Sequence, residues 1–255
     1  MRKKSYVIGL TFSILCIVAG SLIILFLYGL RCESDNVQDT VDDVIEEYIE
    51  QDVEESDSED NSSSEENLID LLSKAFSNED VIAYLYFPEA NISFPIVQGT
   101  DNEKYLETNI RGSHSANGAI FLDYKNSADF SDTSSIIYGH HMRNGGMFGS
   151  LESSLTGGIQ GKQFTIYTRT NKLVYTIKST EIINPDDRAS YLHIGTYNSE
   201  EFISYLKENS NQFNSSVSGD KFVTLLTCHY IKGETIRYGA TGVLTSNTTY
   251  DKEDF

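Results

Sequence analysis

The chain is poor in cysteine, proline and basic residues, and each shortage narrows what it can be. Of three cysteines in 255 residues, Cys16 lies inside a long apolar run and Cys32 at its edge. Cys228 is therefore the lone thiol of the domain that follows, without a disulfide partner inside it. Three prolines leave strand-forming stretches largely uninterrupted. Lysine and arginine total 19 against 38 acidic residues, for a formal charge of −19. That balance argues against nucleic-acid binding, which needs a basic face. There is no GxSxG for a serine nucleophile, no CxxC spacing or carboxylate cluster to accompany a zinc ion, and no internal repeat.

Residues 7–30 are 24 consecutive uncharged, mostly apolar positions. At ~1.5 Å rise per residue they make a helix of roughly 36 Å, enough to cross a bilayer with some tilt. A cleaved signal peptide has a shorter apolar region and a small-x-small site after it, which this stretch lacks. Arg2, Lys3 and Lys4 precede the run and Arg31 alone follows, so the positive excess holds the N-terminus in the cytoplasm and puts the rest outside. A lipobox reading of Cys32 is weak, because Arg31 stands where a small residue is required, and an incidental juxtamembrane cysteine is favoured.

Residues 33–66 hold 16 acidic residues and no basic one, and residues 1–32 hold four basic ones, which leaves −7 for residues 67–255. The acidity thus belongs mainly to a stalk. Val37, Val41, Val44, Ile45, Tyr48, Ile49 and Val53 recur there at helical spacing, and "ESDSEDNSSSEEN" beyond them reads as solvated tether. The chain divides into an anchor (1–31), an acidic stalk (32–66) and a folded domain (67–255).

In the folded domain "LIDLLSKAF" (68–76) has helical spacing. Strands are expected at 81–87, 92–97, 119–123, 135–138, 163–168, 173–183, 221–228 and 235–244. Helices are expected at 102–109, 146–154 and 198–210, the last capped by Asn198 or Ser199. Eight strands at such spacing suggest a closed or nearly closed sheet with peripheral helices.

Cys228 ends the strand "FVTLLTC". A lone thiol is commonly a buried inert one. As a nucleophile its pKa of ~8.5 leaves only a few per cent thiolate at neutral pH, so it needs a proton acceptor or a positive charge nearby. His229 adjoins it, but strand neighbours point to opposite faces. His114 and His193 lie in polar loops, whereas His140 and His141 end the apolar run "SSIIYGHH". Adjacent histidines are poor tetrahedral co-ligands, which disfavours zinc. Arg237, nine residues after the thiol across the turn "YIKGE", can stand beside it if the two strands are antiparallel.

"TLLTC" (224–228), "YGHHM" (138–142) and "TIRYGATGVL" (235–244) together resemble the motifs of sortases. "FPIVQGTDNEKYL", "GAIFLDYKN", "GGMFGSL" and the insertion 184–217 are similar to class B members, over about residues 80–245. The resemblance implies a mainly β, sortase-like closed barrel of about eight strands behind an N-terminal transmembrane helix. It implies a membrane-anchored cysteine transpeptidase that cuts a C-terminal sorting signal after threonine and passes the protein to a peptidoglycan amine. Cys228 is then the nucleophile, His140 the general acid/base and Arg237 the oxyanion partner. Leu106, Tyr191, Leu192 and Thr227 match positions that line the signal groove. The partners implied are secreted proteins with sorting signals, peptidoglycan or its lipid-linked precursor, and the membrane, with no cofactor and no metal. Transfer to a pilin lysine, hydrolysis by water, and a non-catalytic surface adhesin stay open as alternatives.

Overall fold

The computed structural model describes residues 16, 18–23, 25, 29, 36–49, 67–142, 145–151, 158–183, 198–210, 212–214, 218–231, 234–251 and 254–255. The chain divides into two units, Met1–Val37 and Gln38–Phe255. In the first unit the described residues are helical, with Val18, Leu22, Ile23 and Leu25 exposed. Among the described residues no helix is long and apolar enough to cross a membrane. Most of the expected span 7–30 lies outside the described residues.

The second unit is built on nine strands: β1 (Val81–Phe87), β2 (Ile92–Val97), β3 (Phe121–Leu122), β4 (Ser134–Gly139), β5 (Gln163–Tyr167), β6 (Lys172–Ile183), β7 (Gln212–Phe213), β8 (Phe222–Ile231) and β9 (Glu234–Thr248). Their order is β5-β1-β2-β3-β4-β8-β9-β6-β7, and β5 also pairs with β6. That last pairing closes eight strands into a barrel, with β7 added to the far half of β6. Closure removes sheet edges, and alternating side chains fill the interior. Pro95 is tolerated inside β2 because β3 touches β2 only at Val97, so no partner on that side needs its missing N–H.

Two strands run past their expected ends. β8 and β9 continue to Ile231 and from Glu234, so the hairpin overshoots Cys228. The expected strand 119–123 shrinks to Phe121–Leu122, because β3 has only short partners at Val97 and at Ile137–Tyr138. The expected helix 102–109 is a single 3-10 turn, Lys104–Leu106. Its side chains are drawn to Asp80: Tyr105 donates at 2.7 Å and Lys104 at 2.6 Å. Of the expected helix 146–154, residues 146–148 are turn and bridge, 149–151 form one short 3-10 turn, and 152–154 lie outside the described residues.

Helix α1 (36–49) falls in the stretch expected to form an acidic stalk, and from Gln38 onward it belongs to the second unit. It buries Val41, Val44 and Tyr48, and Thr40 accepts from Arg111 at 2.8 Å. The spacing of its apolar residues thus has a partner surface. Helix α2 (Leu68–Phe76) starts where the Asn67 side chain accepts from the Ile69 and Asp70 amides, and it buries Leu68, Ile69, Leu71, Leu72 and Phe76. Helix α3 (Ser199–Asn209) opens with a capping box between Asn198 and Glu201, as the sequence suggests. Its Phe202 and Leu206 cover Phe222 of β8 and Val243 of β9.

Candidate active site

Strands β4, β8 and β9 lie side by side, and their register puts the chemistry-bearing residues in one row. β4 and β8 are parallel, ending their ladder at Gly139 opposite Thr227. The residues that follow are His140, just past the end of β4, and Cys228, still on β8. β8 and β9 are antiparallel, and Cys228 pairs directly with Arg237. Three residues separated by 88 and nine positions in sequence thus occupy adjacent register positions at one end of the barrel.

The sequence explains this local order. β4 is a run of buried residues from Ser134 to Ile137, ended by Tyr138 and Gly139. Gly139 accepts the ring of Phe148 so closely that a Cβ there would lie 2.7 Å from the Phe148 Cδ2. The Phe148 amide donates to the His140 carbonyl at 3.0 Å, and His141 bridges to Met147. The segment "GGMFGSL" therefore clamps the chain on both sides of His140. Two residues earlier, the Tyr138 hydroxyl donates to the buried Asp123 carboxylate at 2.9 Å, which also takes a bond from Asn102 at 2.7 Å. The imidazole of His140 is half-buried, with Nε2 2.8 Å from the Leu106 carbonyl oxygen. Arg237 is half-buried as well.

Below this row the same sheet face holds an unusual polar layer. Thr224 and Thr241 hydroxyls meet at 2.8 Å, and Thr241 and Ser179 approach the Glu181 carboxyl at 3.3 and 3.4 Å. Glu181 pairs with Gly239, two residues beyond Arg237, and is 3 % exposed. Burial pushes its carboxyl up to about 7, and the two hydroxyl bonds only partly counter that. Glu181 carries no signal in the sequence, because an acidic residue near a strand end reads as solvated.

Three of the four expected groove positions differ from a simple apolar lining or fall outside view. Leu106 is 41 % exposed and close to the row through its carbonyl contact with His140. Thr227 is buried at 1 % beside Cys228. Tyr191 and Leu192 lie outside the described residues. Two contributors went unnoticed in the sequence, Phe148 and Gly118, both of which shape the surroundings of His140. Their motifs were legible, but their contact with the histidine depends on loops meeting across the barrel end.

Comparison with known proteins decides the family. The sequence matches the sortase domain over residues 85–245. The chain belongs to the sortase family. It is 30 % identical to sortase B of Listeria monocytogenes over 171 residues, covering 64 % of this chain and 70 % of that protein. The crystal structure of a Streptococcus pyogenes class B sortase involved in pilus biogenesis aligns with a TM-score of 0.58 at 30 % identity, covering 66 % of this chain and 94 % of that one. Sortase B of Clostridium perfringens aligns with a TM-score of 0.58 at 29 % identity, covering 67 % and 99 %. Sortases are cysteine transpeptidases, and this sortase carries the class B fold, a closed eight-stranded barrel with few helices.

Proposed function

We propose that the sortase is a membrane-anchored transpeptidase that cleaves a C-terminal sorting signal after threonine and transfers the protein to an amine of peptidoglycan or its precursor. One observation carries the reading: Cys228 pairs with Arg237 across β8 and β9, and His140 directly follows the Gly139–Thr227 pair that ends the β4–β8 ladder. Cys228 gives its proton to His140 and its sulfur attacks the threonine carbonyl carbon. A C–S bond forms and the C=O electron pair becomes an oxyanion, to which Arg237 donates. The oxyanion collapses, the C–N bond breaks, and the proton on His140 passes to the departing amine. The acceptor amine then attacks the thioester and restores the thiol. The apolar run 7–30 motivates the membrane anchor, with the N-terminus inside and the barrel outside.

A second acceptor has its own support. The Streptococcus pyogenes relative is involved in pilus biogenesis, so a pilin lysine is the rival nucleophile for the thioester. The test is a peptide-library cleavage assay with the full chain, run with a peptidoglycan-type oligoglycine amine, with a lysine-bearing peptide, or with neither. The expected outcome is cleavage after threonine, product joined to the oligoglycine amine, and no acyl-enzyme from Cys228→Ala. Substantial turnover by that variant overturns the nucleophile, and preferential joining to lysine transfers the function to pilin assembly.

A further inference from the structure

The imidazole of His140 has a fixed partner. Its Nε2 is 2.8 Å from the main-chain oxygen of Leu106. A carbonyl oxygen only accepts, so the nitrogen at that distance donates and carries the proton. Neutral histidine holds one ring proton, which leaves Nδ1 with the free lone pair.

The carbonyl is itself held from two directions. On one side is Gly118, at φ +58°, where a Cβ would fall 2.4 Å from the Tyr105 oxygen, 2.7 Å from the Leu106 oxygen and 3.1 Å from the His140 Cδ2. Two carbonyls and the ring converge on a point that glycine alone leaves open. On the other side the Lys104–Leu106 turn is tied down through Asp80. The Tyr105 hydroxyl donates to that carboxylate at 2.7 Å and Lys104 pairs with it at 2.6 Å. The Ala119 amide adds a bond to the Tyr105 carbonyl at 3.0 Å. Burial by itself lifts the Asp80 carboxyl, but its bonds from Lys104 and Tyr105 outweigh that and hold it below the ordinary range.

We infer that the Leu106 main-chain carbonyl is the orienting partner of His140, keeping the ring proton on Nε2 and leaving Nδ1 as the nitrogen that takes the thiol proton and returns it to the departing amine. This rests on the proposed function only for the role of His140 in the reaction. Leu106 is then a positioning residue acting through its backbone, while its exposed side chain remains available to the signal peptide. When Nδ1 gains a proton, the Nε2–H···O bond becomes charge-assisted and roughly twice as strong. The carbonyl thereby steadies the imidazolium between thiol deprotonation and amine release. It does so without a negative charge, so the neutral ring needed to accept the proton is retained. A carboxylate partner serves the same orienting purpose in serine hydrolase triads.

The test reads the proton directly. The full chain, with ¹⁵N-labelled histidine, is examined by two-bond ¹H–¹⁵N correlation, the His140 signal being assigned by its loss in His140→Asn. In the native chain the proton is expected on Nε2 and exchanging slowly with water. In Gly118→Ala it exchanges about tenfold faster, the size expected on losing one ordinary hydrogen bond. Leu106→Ala, which keeps the carbonyl, leaves exchange unchanged. A native proton on Nδ1, a Gly118→Ala signal like the native one, or a loss in Leu106→Ala each overturns the inference. Should Gly118→Ala fail to fold, Tyr105→Phe removes one anchor of the turn while keeping the ring. Faster exchange than native is expected there, and native exchange counts against the inference. Because the proton's position is read without turnover, this result and the activity of His140→Ala can fail separately.

Discussion

Two parts of the barrel wall are built on opposite principles. Where β1, β5 and β6 meet, the wall is aromatic: Phe164 stacks on Tyr175 at 5.2 Å and lies 6.0 Å from Phe87, and Tyr84 stacks on Tyr167 at 5.9 Å. Phe87, Phe164 and Tyr175 are buried to 1 % exposure or less. Where β4, β8, β9 and β6 meet, one sheet face carries hydroxyls, the Glu181 carboxyl and, towards its end, the candidates His140, Cys228 and Arg237. There the Ser135 hydroxyl is buried with no hydrogen-bond partner among the described residues. The first wall is stabilised by apolar burial, and the second gives up part of that stabilisation to hold polar groups beside the candidate site.

Substitutions at the two walls should therefore separate activity from stability. The largest effect is expected at His140, where alanine should slow acylation about 100- to 10,000-fold. His141→Ala should cost far less, since that residue is held by its bridge to Met147 rather than placed in the row. Equal losses in two folded variants, measured by single-turnover acylation, would remove the distinction.

Next comes Arg237. Alanine there should slow acylation about 100- to 1000-fold, the usual cost of one oxyanion donor. Lysine should restore only part of this, because it keeps the charge and loses the planar fork of donors. Alkylation of Cys228 by a small neutral reagent forms no oxyanion and should be little affected. Equal slowing of both reactions would instead assign Arg237 to thiolate formation.

The aromatic wall should answer in stability rather than in rate. Phe164→Ala is expected to cost about 3–5 kcal/mol in denaturant unfolding, with the acylation rate of the remaining folded protein near native. A large loss of rate in the folded fraction would mean that the walls are coupled and the comparison is too simple.

Glu181 gives the smallest effect and sharpens the comparison most. Its native carboxyl is raised from 4.5 to about 7, so the native state keeps this proton to higher pH than the unfolded chain does. Its contribution is full below pH 4.5 and is lost as pH rises through 7. Glu181→Gln, which stays uncharged, should match the native protein below that window. Above it the variant should be more stable by up to about 3 kcal/mol, read from unfolding midpoints at both ends. A stability difference independent of pH would mean that Glu181 is not buried as an acid.

Much of this was legible along the chain. The strand periods gave most strands within a few residues because alternation of buried and exposed positions is local. The cap at Asn198 was legible for the same reason, since its bonds reach only three residues. The triplet Cys228, His140 and Arg237 was legible as residue types on or just beyond strand-forming runs. The 102–109 turn was misjudged because Tyr105 and Lys104 are claimed by Asp80, over twenty residues away. The length of the β8–β9 hairpin was misjudged because polar residues after Cys228 look like loop until a partner strand pairs them.

By itself the sequence determined the eight strands of the barrel to within a few residues, the cap at Asn198, and which thiol, imidazole and guanidinium are the candidates for chemistry. These depend on residue type and on spacings of a few positions. Only the tertiary structure decided that β5 closes on β6, that the parallel pairing of β4 with β8 sets His140 level with Cys228, and that the Leu106 carbonyl meets the imidazole. The physical reason is register: pairing distant strands is settled by the packing of the whole barrel, and a slip of one residue would turn every side chain to the other face.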